Sequence, residues 1–322
     1  MKAAVIYKNG ELPQYTDFPN PIVENENHVL MTVKASAVKN LDKNIVSGKH
    51  YSAEDTATAK VVGGDGVGLL EDGTRVYALG VTGMIAEKAI VDKNKMVKVP
   101  ENLDDCTASA LPNAVAGSAM ALRFRANIQK GETVLINGAT GVTGKIAIQL
   151  AKHYGAKRVI VTGRNEETLK ALLKLGADEY LILTQPDEDF IKQFKTIHAN
   201  TPIDIIIDYL WGRSAELILK SLKGNGAFTH RTRYISVGSL AGDTIQLSAE
   251  ILRSVDLQLS GSGFGSWTKD EMKQLITEIL PDMFALAASK KLIIETVSIA
   301  IKDVEKAWEM NIPDGKRLVI TI

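Results

Sequence analysis

The chain has 322 residues, 45% of them hydrophobic and 24% charged, which suits a soluble protein of about two globular domains. Lysine plus arginine and aspartate plus glutamate both total 38, so no net charge recommends a nucleic acid or a membrane surface as partner. No apolar run reaches the length of a membrane span, the opening Met1-Lys-Ala-Ala-Val-Ile-Tyr7 is too short for a secretory signal, and the single cysteine, Cys106, forms no intrachain disulfide; together these predict a cytoplasmic protein.

Residues 1–100 alternate short β-like runs (3–7, 29–37, 75–79 and 85–91) with turn signals at Lys8-Asn9-Gly10, Glu71-Asp72-Gly73 and Asp92-Lys93-Asn94. That texture predicts a small all-β unit. Cys106 falls in the helix-like segment 105–110 and reads as a small core residue.

The most informative stretch is 133–144, Thr-Val-Leu-Ile-Asn-Gly-Ala-Thr-Gly-Val-Thr-Gly. An apolar strand runs into a turn with Gly138, Gly141 and Gly144, and a helix follows with Val142, Ile146, Leu150 and Tyr154 repeating along one face. Glycine lets the main chain approach a ligand closely, and the free amides of a helix start favour a pyrophosphate. Gly141 is expected at the strand-to-helix turn, facing that pyrophosphate. Strands are expected again at 158–162, 179–183, 203–208, 234–237 and 256–259, with helices between, one of them presenting Leu169, Leu172 and Leu173 on one face. Six strands, each apolar enough for burial on both faces, make a full doubly wound dinucleotide-binding sheet. The last strand, 317–322, needs a sheet edge, and the N-terminal β unit is its natural host.

This order of parts resembles the medium-chain dehydrogenase/reductase superfamily. Gly131 through Gly144, then Ala147-Ile-Gln-Leu-Ala-Lys152, Leu175-Gly-Ala-Asp178, Leu111-Pro112 and Asp314-Gly-Lys316, are similar to its quinone oxidoreductase branch. The resemblance implies an α/β protein: a GroES-like β-rich catalytic domain over 1–113 and 262–322, and a Rossmann domain, a doubly wound parallel sheet, over 114–261. It further implies reduction of a small-molecule quinone or activated double bond by a nicotinamide cofactor, and a homodimer. The alcohol dehydrogenases of the superfamily bind zinc through a Cys and a His-Glu pair. Here Gly63-Gly64-Asp65-Gly66 stands where Gly-His-Glu would fall, and none of the five histidines precedes a glutamate, so no metal site is expected.

Ligands of open parallel sheets bind at the carboxyl ends of strands, which singles out further loops. With Gly138, Thr140, Gly141, Val142, Thr143 and Gly144 as the pyrophosphate turn, they contribute Gly163, Arg164 and Asn165 after the second strand, and Tyr209 and Trp211 after the fourth. Val237, Gly238 and Ser239 follow the fifth strand, and Gly263 and Phe264 the sixth. An acid usually closes the second strand of NAD proteins; Arg164 there points to NADP(H), through paired bonds to a 2′-phosphate. Asn165 suits a helix N-cap, with Glu166 and Glu167 as helix starters. His230-Arg231-Thr232-Arg233 precedes a strand and is expected as a solvated basic loop on the opposite edge. Without zinc, charge developing on the acceptor must be met by hydrogen-bond donors and a proton. Tyr51, or solvent, and Lys39 are the candidates. Lys39 replaces an amide the family carries near the nicotinamide. The alternatives are an alcohol or carbonyl dehydrogenase, and a nucleotide-binding protein with little turnover.

Overall fold

The computed structural model describes residues 1–50, 58–313 and 315–322, and divides into two compact units. One comprises Met1–Asn113 and Lys273–Ile322, the other Ala114–Met272. The boundary expected after residue 261 falls instead after Met272, because Arg125 ties the intervening segment to the second unit. Its guanidinium grips both oxygens of Glu271, at 3.0 and 2.8 Å, and donates to Ser266 O at 2.6 Å. Tyr51 and Asp314 lie outside the described residues.

The first hundred residues supply β1 (Lys2–Ile6), β2 (Gln14–Asp17), β3 (His28–Val38), α1 (Asn40–Val46), β4 (Lys60–Val61), β5 (Asp65–Leu69), β6 (Arg75–Gly80) and β7 (Lys88–Lys98). In β3 the alternation of Met31, Val33 and Ala35 with polar residues turns one face inward, all three being buried. β3 pairs with β5 on one side and β7 on the other, so β3, β5, β6 and β7 close on themselves. The turn expected at 92–94 is inside β7. Asp92 accepts the Asn94 amide at 2.9 Å where β7 passes from its pairing with β3 to its pairing with β6, so a local turn bond survives within a longer strand.

After α2 (Asp105–Met120), the second unit holds a six-stranded sheet in which every pairing is parallel. Its parts are β8 (Thr133–Asn137), α3 (Val142–His153), β9 (Arg158–Gly163), α4 (Glu166–Leu173), β10 (Glu179–Ile182), α5 (Asp187–Asn200), β11 (Ile205–Asp208), α6 (Gly212–Leu222), β12 (Thr232–Ser236) and β13 (Leu257–Gly261). The strand order is β10-β9-β8-β11-β12-β13. The chain winds outward from β8, then returns to lay β11 on its other side, so the topological switch point lies between β8 and β11. Leu135, Ile206, Tyr234, Phe190, Phe194 and Ile218 belong to the core on one side of this sheet. Two expectations need correction. β13 is an edge strand, with Leu259 37% exposed rather than buried on both faces, and Leu173 turns outward from α4 while Leu169 and Leu172 are buried.

The chain then returns to the first unit. β14 (Glu295–Ala300) lies parallel to β15 (Lys316–Thr321), and β15 pairs antiparallel with β3, Leu318 opposite Val38 and Thr321 opposite Ala35. The last strand thus joins the sheet of the N-terminal unit, between two strands rather than at an edge.

Candidate cofactor site

The three glycines divide the work of one turn. Gly138 has φ +84°, and the Leu210 side chain lies 2.7 Å from the place a Cβ would take. Gly144 packs its Cα against Ala139, whose backbone lies 2.5 Å from a Cβ there. Gly141 caps α3 with φ −73° and ψ 168°, and a Cβ on it would meet nothing nearer than Gly138 O at 4.0 Å. The left-handed position is therefore Gly138, not Gly141, which instead leaves open space before the helix. The first bond of the α3 ladder runs from Lys145 N to Gly141 O at 3.0 Å, so the amides of Val142, Thr143 and Gly144 precede it. Open space beside such a helix start is a cradle for a pyrophosphate. The residues present fit a dinucleotide.

Neighbouring loops complete this edge. Gly163 is buried with the Thr140 methyl 2.8 Å from its would-be Cβ, so β9 ends on a residue that admits no acid. Arg164 next to it is exposed, and among the described residues its guanidinium has no partner. Asn165 accepts the Thr168 amide at 3.0 Å, which makes it the N-cap of α4 and engages its side-chain oxygen. Tyr209 is buried, its hydroxyl 3.0 Å from Ser118 Oγ and donating to Gly117 O at 3.4 Å, and burial holds the phenol far above its usual range. Trp211 turns its indole to the core, edge-on to Tyr234 with centroids 6.2 Å apart, so only its backbone belongs to the loop. Gly238 lies against Tyr209 O, 2.9 Å from its would-be Cβ, and the exposed Ser239 bonds Asp243 at 3.0 Å. Val237 faces α2, 3.9 Å from the would-be Cβ of Gly117, while the Thr143 methyl is 3.2 Å from the same point. Gly263 is extended and Phe264 half-exposed, its ring 4.9 Å from that of Trp267.

A buried polar network lies beneath these loops, and sequence reasoning did not find it. Asn137 Nδ2 donates to Asp208 Oδ1 at 2.7 Å and to Ser214 Oγ at 2.9 Å. Thr162 Oγ1 donates to Asn137 Oδ1 at 2.6 Å and accepts the Gly138 amide at 3.1 Å. Tyr234 donates to Asp208 Oδ2 at 2.6 Å, and the Leu210 and Trp211 amides donate to Asp208 Oδ1 at 2.8 and 3.1 Å. Burial pushes the Asp208 carboxyl up, against the pull of these donors. The available signal was a polar residue closing each apolar run: Asn137, Thr162 and Asp208 all sit at or beside the carboxyl end of a strand.

In the first unit, Lys39 is buried rather than presented to a substrate. Its ammonium donates to Ala37 O at 2.9 Å, lies 3.1 Å from Asp42 Oδ2 and pairs with Asp65 Oδ1, so its three N–H groups face inward. Burial works against the ammonium, but Asp42 and Asp65 overcome it and hold Lys39 above the usual lysine value. Tyr77 donates to Asp65 Oδ2 at 2.7 Å, and burial, then Asp65, keeps its phenol protonated far up the scale. Asp42 also accepts the Lys39 amide at 2.8 Å and the Gly64 amide at 3.1 Å. Cys106 is partly buried at the margin of the core, against the cluster that holds Ala110 and Val319, with burial raising its thiol. Among the described residues no three His, Cys, Asp or Glu side chains come together to hold a metal ion. The loop expected to be solvated at 230–233 lies on the opposite sheet edge from the glycine turn but is pinned: His230 bonds Asp204 at 2.7 Å, Thr232 is buried, and Arg233 pairs with Glu132.

A doubly wound parallel sheet with a glycine turn at its switch point, in a chain that also carries a β-rich unit, is the architecture of a two-domain dinucleotide-binding protein. The family model described as zinc-binding dehydrogenase matches residues 142–280. The quinone oxidoreductase of Rattus norvegicus is 30% identical over 287 residues, covering 85% of this chain and 83% of its own. A probable NADPH-dependent quinone reductase of Emericella nidulans is 27% identical over 349 residues, with 96% of each chain covered. Among solved structures, a mycobacterial quinone oxidoreductase gives a TM-score of 0.84 at 20% identity, covering 100% of both chains. The quinone oxidoreductase of Thermus thermophilus, whose complex with NADPH is also solved, gives 0.78 at 24% identity with the same coverage. The chain belongs to the medium-chain dehydrogenase/reductase superfamily, in its quinone oxidoreductase-like branch, and is an oxidoreductase.

Proposed function

We propose that this protein is a zinc-independent, NADPH-dependent reductase of quinones or α,β-unsaturated carbonyls, working in the cytoplasm. The observation that carries the reading is the end of β9: a glycine with no room for an acid, followed by an exposed Arg164 whose guanidinium has no partner among the described residues. An acid at this position takes the ribose hydroxyls of NAD; a guanidinium instead binds a 2′-phosphate through charge-assisted bonds. The relatives of rat and Emericella nidulans support the same chemistry by their names.

When bound, NADPH supplies a hydride. The chain's own residues bind the pyrophosphate through the amides of Val142, Thr143 and Gly144 and leave space for it at Gly141. Negative charge arriving on the acceptor oxygen is neutralised by a proton, from Tyr51 or from solvent. Lys39 is not that donor, because its N–H groups are all engaged with Ala37, Asp42 and Asp65. It serves instead as the buried cation that joins the end of β3 to α1 and β5. The donor set argues against zinc: the one cysteine packs against an apolar cluster, and Lys39 already fills the position between Asp42 and Asp65. The engaged Lys39 also favours a second reading, a nucleotide-binding protein with little turnover.

NADPH consumption with a panel of quinones and enones separates the two. Turnover with at least one class is expected; tight NADPH binding with no turnover on any member would favour the second reading.

A further inference from the structure

Asp208 is fully buried, and among the described residues its side chain pairs with no cation and is bonded by neutral donors alone. An apolar residue would fill this place without the desolvation that an unpaired carboxylate suffers. What the carboxylate does that an apolar residue does not is tie two loops to each other and to β12. Through Asn137 and Thr162 it reaches the Gly138 amide after β8. Directly it holds the Leu210 and Trp211 amides after β11. Its main-chain carbonyl accepts Val237 N at 2.8 Å and Gly238 N at 3.2 Å after β12, and its Oδ2 takes the Tyr234 hydroxyl from the same strand.

The loop it holds is under strain. Trp211 has φ +57° and ψ −152°, a conformation that side chains other than glycine rarely adopt, and Gly212 follows at φ +57°. Such a backbone persists only where its surroundings fix it, and the two amide bonds to Asp208 enter the loop immediately before the strained peptide. Leu210, from this loop, fills the space over Gly138, so a shift of the 209–212 segment is felt in the pyrophosphate turn.

We infer that Asp208 is a positioning residue for the cofactor: its pattern of acceptors sets the turn after β8 and the loop after β11 in register across the switch point. The inference rests on the cofactor reading above, that the turn receives the dinucleotide. The acceptor pattern, not the charge, is the working part. Asparagine retains it, with Oδ1 accepting from Asn137, Leu210 and Trp211 while Nδ2 donates to Tyr234, whose hydroxyl reverses its role. Leucine, of similar size, removes every acceptor.

The test is NADPH binding by fluorescence titration, together with circular dichroism and thermal melting, on wild type, Asp208→Asn, Asp208→Leu and Thr162→Val. Asp208→Leu is expected to weaken NADPH binding about tenfold or more while remaining folded, because ligand groups displaced by a fraction of an ångström are felt strongly. Asp208→Asn is expected to stay within about threefold of wild type, a rescue that a simple need for charge does not allow. Thr162→Val removes the donor to Asn137 Oδ1 and the acceptor of the Gly138 amide while leaving the bonds to Asp208 in place, and is expected to weaken binding without loss of fold, which keeps the inference testable should the leucine variant unfold. Unchanged affinity in Asp208→Leu or Thr162→Val, or equal loss in Asp208→Leu and Asp208→Asn, would overturn the inference. Gly141→Val separates this failure from that of the cofactor reading: wild type that fails to bind NADPH sinks the reading itself. Binding that Gly141→Val abolishes and Asp208→Leu leaves intact sinks only the role of Asp208.

Discussion

Asn137 and Asp208 stand opposite each other at the ends of β8 and β11, their side chains joined at 2.7 Å across the switch point of the sheet. The loops leaving these two residues are the walls of the proposed pyrophosphate site, so one buried side-chain bond links both. An ordinary core contact at the same point would leave the two loops to be set independently.

Gly141→Val should abolish NADPH binding with little loss of fold. The glycine has φ −73°, which valine tolerates, and open space, which its branches would fill at the place the phosphates occupy. Ile146→Ala is the control. Ile146 is fully buried on α3, and truncation should destabilise by about 2–5 kcal/mol while leaving NADPH affinity nearly unchanged where the protein is folded. Denaturant titration and cofactor titration on both variants separate the two effects, and NADPH binding by Gly141→Val at wild-type strength would make the turn purely structural.

Arg164→Ala should remove most of the preference for NADPH over NADH. A charge-assisted hydrogen bond contributes about 1.5–3 kcal/mol when dry, and at this exposed position the lower end applies, or about tenfold in relative affinity. The measurement is the ratio of dissociation constants for the two nucleotides. A wild type without preference would refute the assignment of Arg164.

Much of this was legible in the sequence because each signal was local. The strand-turn-helix at 133–144 and the N-cap Asn165 follow from residues adjacent in the chain. Lys39 was not legible: at a strand end a lysine is ordinarily exposed, and only the fold brings Asp65, 26 residues on, against its ammonium. The Asp208 network fails the same test, since Asn137 is 71 residues away and Tyr234 lies on another strand. Trp211 misled for a further reason. A large aromatic at a ligand-side loop invites a stacking role, but the strained backbone of that residue turns the indole into the core.

Lys39→Met should destabilise the protein by about 3–5 kcal/mol, because it leaves Asp42 and Asp65 buried without their shared cation. The pH dependence has a definite sign. Lys39 and Tyr77 both bind their protons more tightly folded than unfolded, so their stabilisation is complete below the ordinary values of 10.5 and 10.0 and is lost as pH rises beyond them. Wild type should lose stability from about pH 10 upward, and Tyr77→Phe should flatten that limb. An identical alkaline profile for wild type and Tyr77→Phe would show that the phenol does not contribute.

Metal analysis of protein prepared without chelator should return well below one zinc per chain, and chelation should leave activity intact. One tightly held zinc per chain, with activity lost on its removal, would move the protein to the alcohol dehydrogenases.

Hydride transfer from NADPH to a quinone or enone is read out by oxidation of the nucleotide. The purified protein is mixed with NADPH or NADH and each acceptor in turn, and consumption of the reduced nucleotide is followed. Acceptor-dependent oxidation of NADPH is expected, with a lower KM than for NADH and a preference that Arg164→Ala removes. Saturable NADPH binding with no oxidation by any quinone or enone would contradict it.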